Sequence, residues 1–372
     1  MKAIGIILAG GNNNRMKELT AKRAVPALPV AGSFRSIDFA LSSMSNSHIQ
    51  TVAVLTQYNA RSLNEYLSSS KWWNFGRKQG GLFLFTPTVT ADNSDWYRGT
   101  ADAMYQNIDF LKRRHEPYVI ISSGDCVYKL DFNRVLDFHI EKKSDITVVC
   151  KDMMYNDDVS RFGVVRMDDE SRITEFDEKP IEALSNTIST GIYVIRRRQL
   201  IELLEAAAEE NRFDFVNDIL VRYKNVKKIY GYKINSYWNN IADIDAYFKT
   251  NMDFLRPDVR SYFFREEPTI CSKVDDLPPA KFNPGSDISN SLVSSGCIIN
   301  GSVEDSVLFK QVFVGKNTTV KNCVILNDVY IGDNVHLENC IVESRGTINP
   351  NTCYCGEDGV MIVKEKNVRY VI

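Results

Sequence analysis

Apolar and polar positions along the chain follow one pattern up to about residue 250 and a different one beyond residue 285. In the first part, short runs rich in Val, Ile and Leu alternate with stretches whose apolar residues recur every three or four positions. The runs predict strands at Ile4–Leu8, Val52–Thr56, Leu82–Phe85, Tyr118–Ser122 and Ile146–Val149. The clearest intervening pattern predicts one helix capped by Thr100, with Ala101, Met104, Ile108 and Leu111 on one face and a stop at Lys112-Arg113-Arg114. Such alternation marks an α/β domain, Rossmann-like, with a mostly parallel sheet covered on both faces. Gly76–Gly81, flanked by Trp72, Trp73 and Phe75, reads as a loop with an aromatic wall that either closes over a ligand or packs.

After Asn251 the prolines at 257, 268, 278, 279 and 284 break any long helix and mark a junction. A period of six follows. Cys297 and Val303, then Leu308, Val314 and Val320, then Ile325, Ile331 and Leu337 recur at that spacing, with turns such as Gly315-Lys316-Asn317 between them. This hexapeptide repeat predicts a left-handed parallel β-helix; a β-sandwich would not keep the period. The expected organisation is an α/β domain over 1–250, a linker over 251–284 and a left-handed β-helix of three or four coils over 285–372. A short solenoid leaves its ends unburied, so oligomerisation is its expected use. Hexapeptide acyltransferases form a rival class, but they depend on a histidine at a coil corner. Here the repeat contains only His336, read as a solvated turn residue.

Composition narrows the partners. A net charge of −2 over 372 residues offers no basic field for nucleic acid, so any phosphate binding is local. No apolar run reaches 18 residues, and Met1-Lys2-Ala3 leads straight into the first strand, so the expectation is a soluble, cytoplasmic protein without membrane contact. Cys126, Cys150, Cys271, Cys297, Cys323 and Cys340 stand singly and read as reduced core thiols. Cys353 and Cys355 form a C-x-C pair with no histidine near it in sequence, a weak metal signal.

The stretch Leu8-Ala9-Gly10-Gly11, running through three asparagines to Arg15, is where candidate chemistry begins. An apolar strand breaking into two glycines can hand over to a phosphate-cradling loop, and Arg15 can add a charged fork; Gly-Gly alone also fits an ordinary strand-to-helix turn. Together with Leu19-Thr20, Ala24-Val25-Pro26-Ala27-Leu28-Pro29 and Phe34–Phe39, this opening resembles the sugar-phosphate nucleotidyltransferases. It is most similar to bacterial glucose-1-phosphate adenylyltransferase (ADP-glucose pyrophosphorylase), and within that family to its GlgD-type regulatory subunit.

The resemblance implies nucleotide binding by Leu8, Ala9, Gly10, Gly11 and Arg15, by Gln57 after the second strand, and by Gly99, Thr100, Ala101 and Asp102 at a helix N-terminus facing the phosphates. It implies sugar-phosphate binding by Glu178, Lys179, Ser189 and Gly191, and Mg²⁺ on Asp125. Lys22 and Arg23 fall where related enzymes contact effectors, though two solvated loop cations would look the same. Three departures matter: Asn13 replaces a loop glycine, Val25 a lysine, and Asn240 the second metal carboxylate. No intact catalytic set is therefore expected, and Mg²⁺ would be held weakly if at all. The implied role is a catalytically impaired, regulatory subunit for ATP + glucose 1-phosphate → ADP-glucose + pyrophosphate in glycogen biosynthesis. It would assemble with a catalytic homologue into a hetero-oligomer, expected to be a tetramer, and bind sugar-nucleotide or phosphorylated-sugar ligands. A self-sufficient ADP-glucose synthase with an altered site and a stand-alone sugar-nucleotide sensor are the alternatives.

Overall fold

The computed structural model describes residues 2–11, 14–76, 80–89, 95–154 and 157–366, so Asn13 lies outside the described residues. Two compact units are built from interleaved segments. One comprises Met1–Asn12, Ala40–Gly124 and Tyr128–Trp238; the other comprises Asn13–Phe39, Asp125–Val127 and Asn239–Ile372.

The first unit is organised on a nine-stranded mixed sheet. Its order runs Ile173–Glu178, Gly163–Met167, Thr187–Arg196, Tyr118–Ser123, Ala3–Leu8, Thr51–Leu55, Gly81–Phe85; Ile146–Asp152 pairs with Thr187–Arg196 and carries Ile229–Lys233 on its other side. Ala3–Leu8 lies parallel between Tyr118–Ser123 and Thr51–Leu55, and Gly81–Phe85 extends the parallel block. All five sequence-predicted strands are present. Their runs are apolar at consecutive rather than alternate positions because both faces are covered: Ile6 and Ile7, and Ile120 and Ile121, are buried on opposite sides. Each such side chain contributes about 1.5–3 kcal/mol by leaving water.

The helix expected from Thr100 to Leu111 is instead two short ones, Thr100–Tyr105 and Ile108–Lys112. Asn107 divides them: its side-chain Nδ2 donates to the Ala103 carbonyl (2.8 Å) and to the Tyr97 hydroxyl (2.9 Å). The predicted face survives the break, with Ala101, Met104 and Leu111 buried. Trp73 and Phe75 are buried too, so those members of the aromatic wall pack.

In the second unit the segment after residue 278 winds into five coils, more than the three or four expected. Three five-stranded parallel sheets form its faces, the first starting at Lys281–Phe282, the second at Asp287–Ser289 and the third at Leu292–Val293. Cys297, Val303, Leu308, Val314, Val320, Ile325, Ile331 and Leu337 all point inward and are fully buried. The corners turn through left-handed residues that stack coil on coil: Asn290, Asp305, Asn322 and Asn339 at one, Asn317, Asn334 and Asn351 at another. Asparagine tolerates this conformation better than other residues with a Cβ, and its amide bonds the next coil, as Asn334 Nδ2 does to Asn351 Oδ1 at 3.0 Å.

The proline-rich segment holds a helix, Pro257–Phe264, which Pro257 opens at a position where no N–H is needed. Phe263 of this helix packs with Phe39 and Phe254 in one aromatic cluster. The same unit fastens the Ala24–Gly32 loop. The Ala31 N–H donates to Asn251 Oδ1 (3.0 Å), the Tyr247 hydroxyl to the Pro29 carbonyl (2.7 Å), and Ser294 Oγ to the Gly32 carbonyl (2.9 Å).

Five of the eight cysteines are buried as expected, but Cys271 and Cys353 are exposed and Cys355 is half-buried. His336 is not a turn residue; it belongs to the strand His336–Glu338. Among the described residues no helix is long and apolar enough to cross a membrane.

Candidate functional site

In the first unit the parallel strands end together, where open α/β sheets present their ligands. The Ala9 N–H donates to the Leu55 carbonyl (2.9 Å) and the Gly124 N–H to the Leu8 carbonyl (3.0 Å), knitting three strand ends side by side. Gly10 lies close against the neighbouring strand end: a Cβ there would sit 3.3 Å from Gln57, tighter than ordinary van der Waals contact. Gly11 is exposed and a Cβ would meet nothing, so its backbone faces open space as a phosphate-approaching glycine must.

Gln57 is bound to backbone. Its Oε1 accepts from the Tyr97 N–H (2.6 Å) and its Nε2 donates to the Tyr97 carbonyl (3.2 Å), which leaves one N–H and one lone pair for a ligand. Gln57 also lines a cavity of about 290 Å³ with Thr86–Val89, Asp95 and Trp96, a volume suited to a purine-sized ring. Tyr58 and Trp96, both exposed, stack near-parallel at 6.1 Å.

The Gly99–Asp102 turn departs from its expected role. Gly99 is extended, and a Cβ there would lie 2.3 Å from the Phe213 carbonyl oxygen. That carbonyl accepts from the N–H groups of both Ala101 and Asp102 (2.8 and 3.2 Å), so this helix end does not offer them to phosphates. Thr100 is not the cap either: Gly99 holds that position, and the Thr100 hydroxyl accepts from the Phe215 N–H (2.8 Å) and donates to Asp214 (3.3 Å). Asp102 is buried and accepts from the Arg98 N–H and from Gln106 Nε2, fixing the turn.

Glu178 and Lys179 form an ion pair at 3.1 Å, Glu178 mostly covered and Lys179 mostly exposed. Burial raises the Glu178 carboxyl above its usual range, opposed by Lys179 and reinforced by the charge of Asp214. Asp214, between Phe213 and Phe215, was missed in the sequence; an acid flanked by two phenylalanines was the signal. Ser189 is buried against the Tyr193 hydroxyl (3.3 Å), and Gly191 adopts φ +74° where Thr187–Arg196 bulges against Ile146–Asp152. Bulges of this kind re-aim side chains beside sites.

The Glu178 shift has a checkable sign. A carboxyl whose folded pKa is raised contributes stability below its unfolded pKa and loses it as the pH rises through the folded value, so at pH 7 ionised Glu178 is a net cost. Glu178→Gln is therefore expected to leave Tm unchanged or higher at pH 7. That benefit should shrink on acidification through the raised carboxyl range. Thermal melts at several pH values check it; a lower Tm at pH 7 would contradict it.

The second unit carries the remaining residues. Arg15 is exposed in the Asn14–Thr20 turn, which is anchored by buried Met16 and Leu19. Val25 is 5% exposed in the turn Val25–Ala27, among other buried residues. Arg23 pairs with Glu343 (3.5 Å) and donates to Ser344 Oγ (3.3 Å), whereas Lys22 is exposed.

Asp125 and Asn240 are joined through Cys126, another residue the sequence gave no reason to choose. Asn240 Nδ2 donates to Cys126 Sγ (3.4 Å), whose thiol reaches Asp125 Oδ1 (3.5 Å); Asn240 Oδ1 accepts from the Ala242 N–H (2.9 Å). This donor set does not fit a two-carboxylate magnesium site. One of the two groups is neutral, its nitrogen is turned to a thiol and its oxygen to the backbone.

The sheet, the glycine turn at its strand ends and the coiled C-terminal segment together define a nucleotidyltransferase with a hexapeptide β-helix. Comparison with known families agrees: residues 4–256 match the nucleotidyl transferase family, and residues 278–362 match the GlmU-like C-terminal hexapeptide. Among curated proteins, the glucose-1-phosphate adenylyltransferase of Geobacillus stearothermophilus is 39% identical over 365 residues, covering 97% of this chain and 94% of the relative. That of Bacillus cereus is 37% identical over 374 residues (100% and 97%), and that of Clostridium novyi 38% over 320 (85% and 84%). The chain belongs to the glucose-1-phosphate adenylyltransferase family.

Proposed function

We propose that this chain is a regulatory, catalytically impaired subunit of glucose-1-phosphate adenylyltransferase that acts in glycogen biosynthesis by assembling with a catalytic homologue. The observation that carries the reading is the state of the charge-bearing positions: Val25 is an apolar, buried residue, and Asn240 spends its amide on Cys126 and the Ala242 N–H. In-line transfer of the adenylyl group to a sugar phosphate, expelling pyrophosphate, depends on positioning and on charge stabilisation. Here the positioning elements persist, in Gly10, Gly11, Gln57, Glu178 and Lys179, while two charged groups are gone. Mg²⁺ is expected to bind weakly, with Asp125 its one strong ligand.

Assembly is supported by the outer face of one solenoid sheet, where Ile298, Phe313 and Tyr330 succeed each other on adjacent coils and the two rings stack at 4.7 Å. An apolar column of this kind, exposed at Ile298 and half-buried at Phe313 and Tyr330, suits a partner built on the same repeat. Effector binding rests on Lys22, with Arg23 reachable once it leaves Glu343. Co-expression with a catalytic homologue tests the proposal: a hetero-oligomer, tetrameric by light scattering, is expected to show higher kcat or altered effector response than the homologue alone. Two species that never co-elute would overturn it. The alternative, a self-sufficient synthase, requires ordinary turnover by the isolated chain.

A further inference from the structure

The solenoid carries a cluster of metal-ligating side chains that the adenylyltransferase reading does not use. Strand His336–Glu338 and strand Cys353–Cys355 lie side by side in parallel register, His336 opposite Cys353 and Glu338 opposite Cys355. In each strand the middle residue, Leu337 or Tyr354, packs into the core, so alternation turns the two outer residues of both strands to the outer face. Four ligand-bearing side chains thus meet on two adjacent coils: an H-x-E above a C-x-C.

Three of the four donors already lie within reach of one ion. Ligand atoms of His336, Glu338 and Cys355 are all within 4.8 Å of one another, with His336 Nε2 3.5 Å from Glu338 Oε2; Cys353 stands outside that trio and joins it through Cys355, its Sγ 3.5 Å from Cys355 Sγ. With Zn–S near 2.3 Å and Zn–N or Zn–O near 2.0–2.1 Å, a regular tetrahedron places two sulfurs about 3.8 Å apart and a nitrogen–oxygen pair about 3.3 Å apart. Each pair is within a few tenths of an ångström of its own edge, and Cys353 closes the set by turning toward the other donors.

The surroundings also suit a cation. Lys321, the next residue up Glu338's column, is turned the other way, to Glu304 at 3.2 Å. We propose that His336, Glu338, Cys355 and Cys353 form a surface zinc site that clips the last two coils of the solenoid. Zn²⁺ binds as the two thiols lose their protons to solvent, and Cys353 turns in as the fourth ligand, which makes the ion a structural staple rather than a catalytic centre.

Cobalt titration of the full, reduced chain tests this, because thiolate-bound Co²⁺ has a sulfur-to-metal charge-transfer band. Expected are one equivalent bound with that band, its displacement by one equivalent of Zn²⁺, and a Tm that rises with Zn²⁺. Cys355→Ser should weaken the band and the double change Cys353→Ser/Cys355→Ser should abolish it, while His336→Asn or Glu338→Gln should weaken binding by at least ~10-fold and keep the band, with circular dichroism showing the solenoid intact. Cys271→Ser is expected to change nothing. No saturable binding by the unmodified chain would overturn the proposal without any variant. So would a band that survives Cys353→Ser/Cys355→Ser, since another thiol would then hold the metal.

Discussion

Supplied with ATP, Mg²⁺ and glucose 1-phosphate, the isolated chain is expected to form ADP-glucose on the order of 10⁴-fold more slowly than a catalytic homologue. Removing one preorganised charge-stabilising group costs about 10²–10³ in rate, and the proposed reading has two such groups replaced, though losses that act on one transition state need not add in full. The local geometry bears on that proposal. Val25 cannot be a distant lysine's stand-in, because it is buried within an apolar turn and offers no donor. The Asn240 amide is oriented by Cys126 and Ala242, so it is not a neutral ligand waiting to be turned. The measurement is a steady-state assay on protein free of any homologue, and a kcat in the ordinary range of about 1–10³ s⁻¹ would refute the impaired reading and favour the self-sufficient synthase.

Much of the architecture was legible because its signals are local. The six-residue period declared which side chains turn inward, and all eight residues from Cys297 to Leu337 named on that basis are buried. Strand runs such as Ile4–Leu8 were equally plain, since burial on both faces leaves no polar interruption. What failed depended on partners far away in sequence. Apolar spacing from Ala101 to Leu111 indicated one helix because it cannot register that Asn107 prefers the Ala103 carbonyl and the Tyr97 hydroxyl. The helix end at Gly99 looked open to phosphate; the Phe213 carbonyl that fills it comes from more than a hundred residues on.

The same limit explains the cysteines and the altered site. Cys353 and Cys355 seemed to lack a histidine, yet one coil of the solenoid returns the chain to the same place after seventeen residues, which sets His336 opposite Cys353. Reading that neighbour from sequence requires the coil length, which the six-residue period alone does not give once the corners vary. Asn240 was visible as a departure from the family pattern, but Cys126 as its partner was not, because an isolated cysteine at a strand end normally reports only packing.

On the proposed reading, those local bonds determine how activity could be raised. Val25→Lys with Asn240→Asp is expected to raise turnover by at least ~10²-fold, because it returns a cation and a carboxylate to charge-bearing positions while the glycine turn and the Glu178–Lys179 pair stay in place. Each change alone should do less, since either leaves the transition state half supported. The carboxylate at position 240 keeps the Ala242 N–H bond, because an Asp oxygen occupies the place of the amide oxygen, but it loses the donation to Cys126. Two carboxylates would then share one thiol, and their repulsion raises one of their pKa values unless a divalent cation offsets it. The gain should accordingly grow with Mg²⁺ concentration far more steeply than in Val25→Lys alone. The lysine brings a stability cost, for its ammonium would start from a position only 5% exposed and must reach solvent or a phosphate to avoid an unpaired buried charge. Rate, Mg²⁺ dependence and a melting curve are therefore read together. A double variant that melts with the parent, binds Mg²⁺ and still shows no gain would mean that the impairment lies in the nucleotide or sugar segments rather than at these two positions.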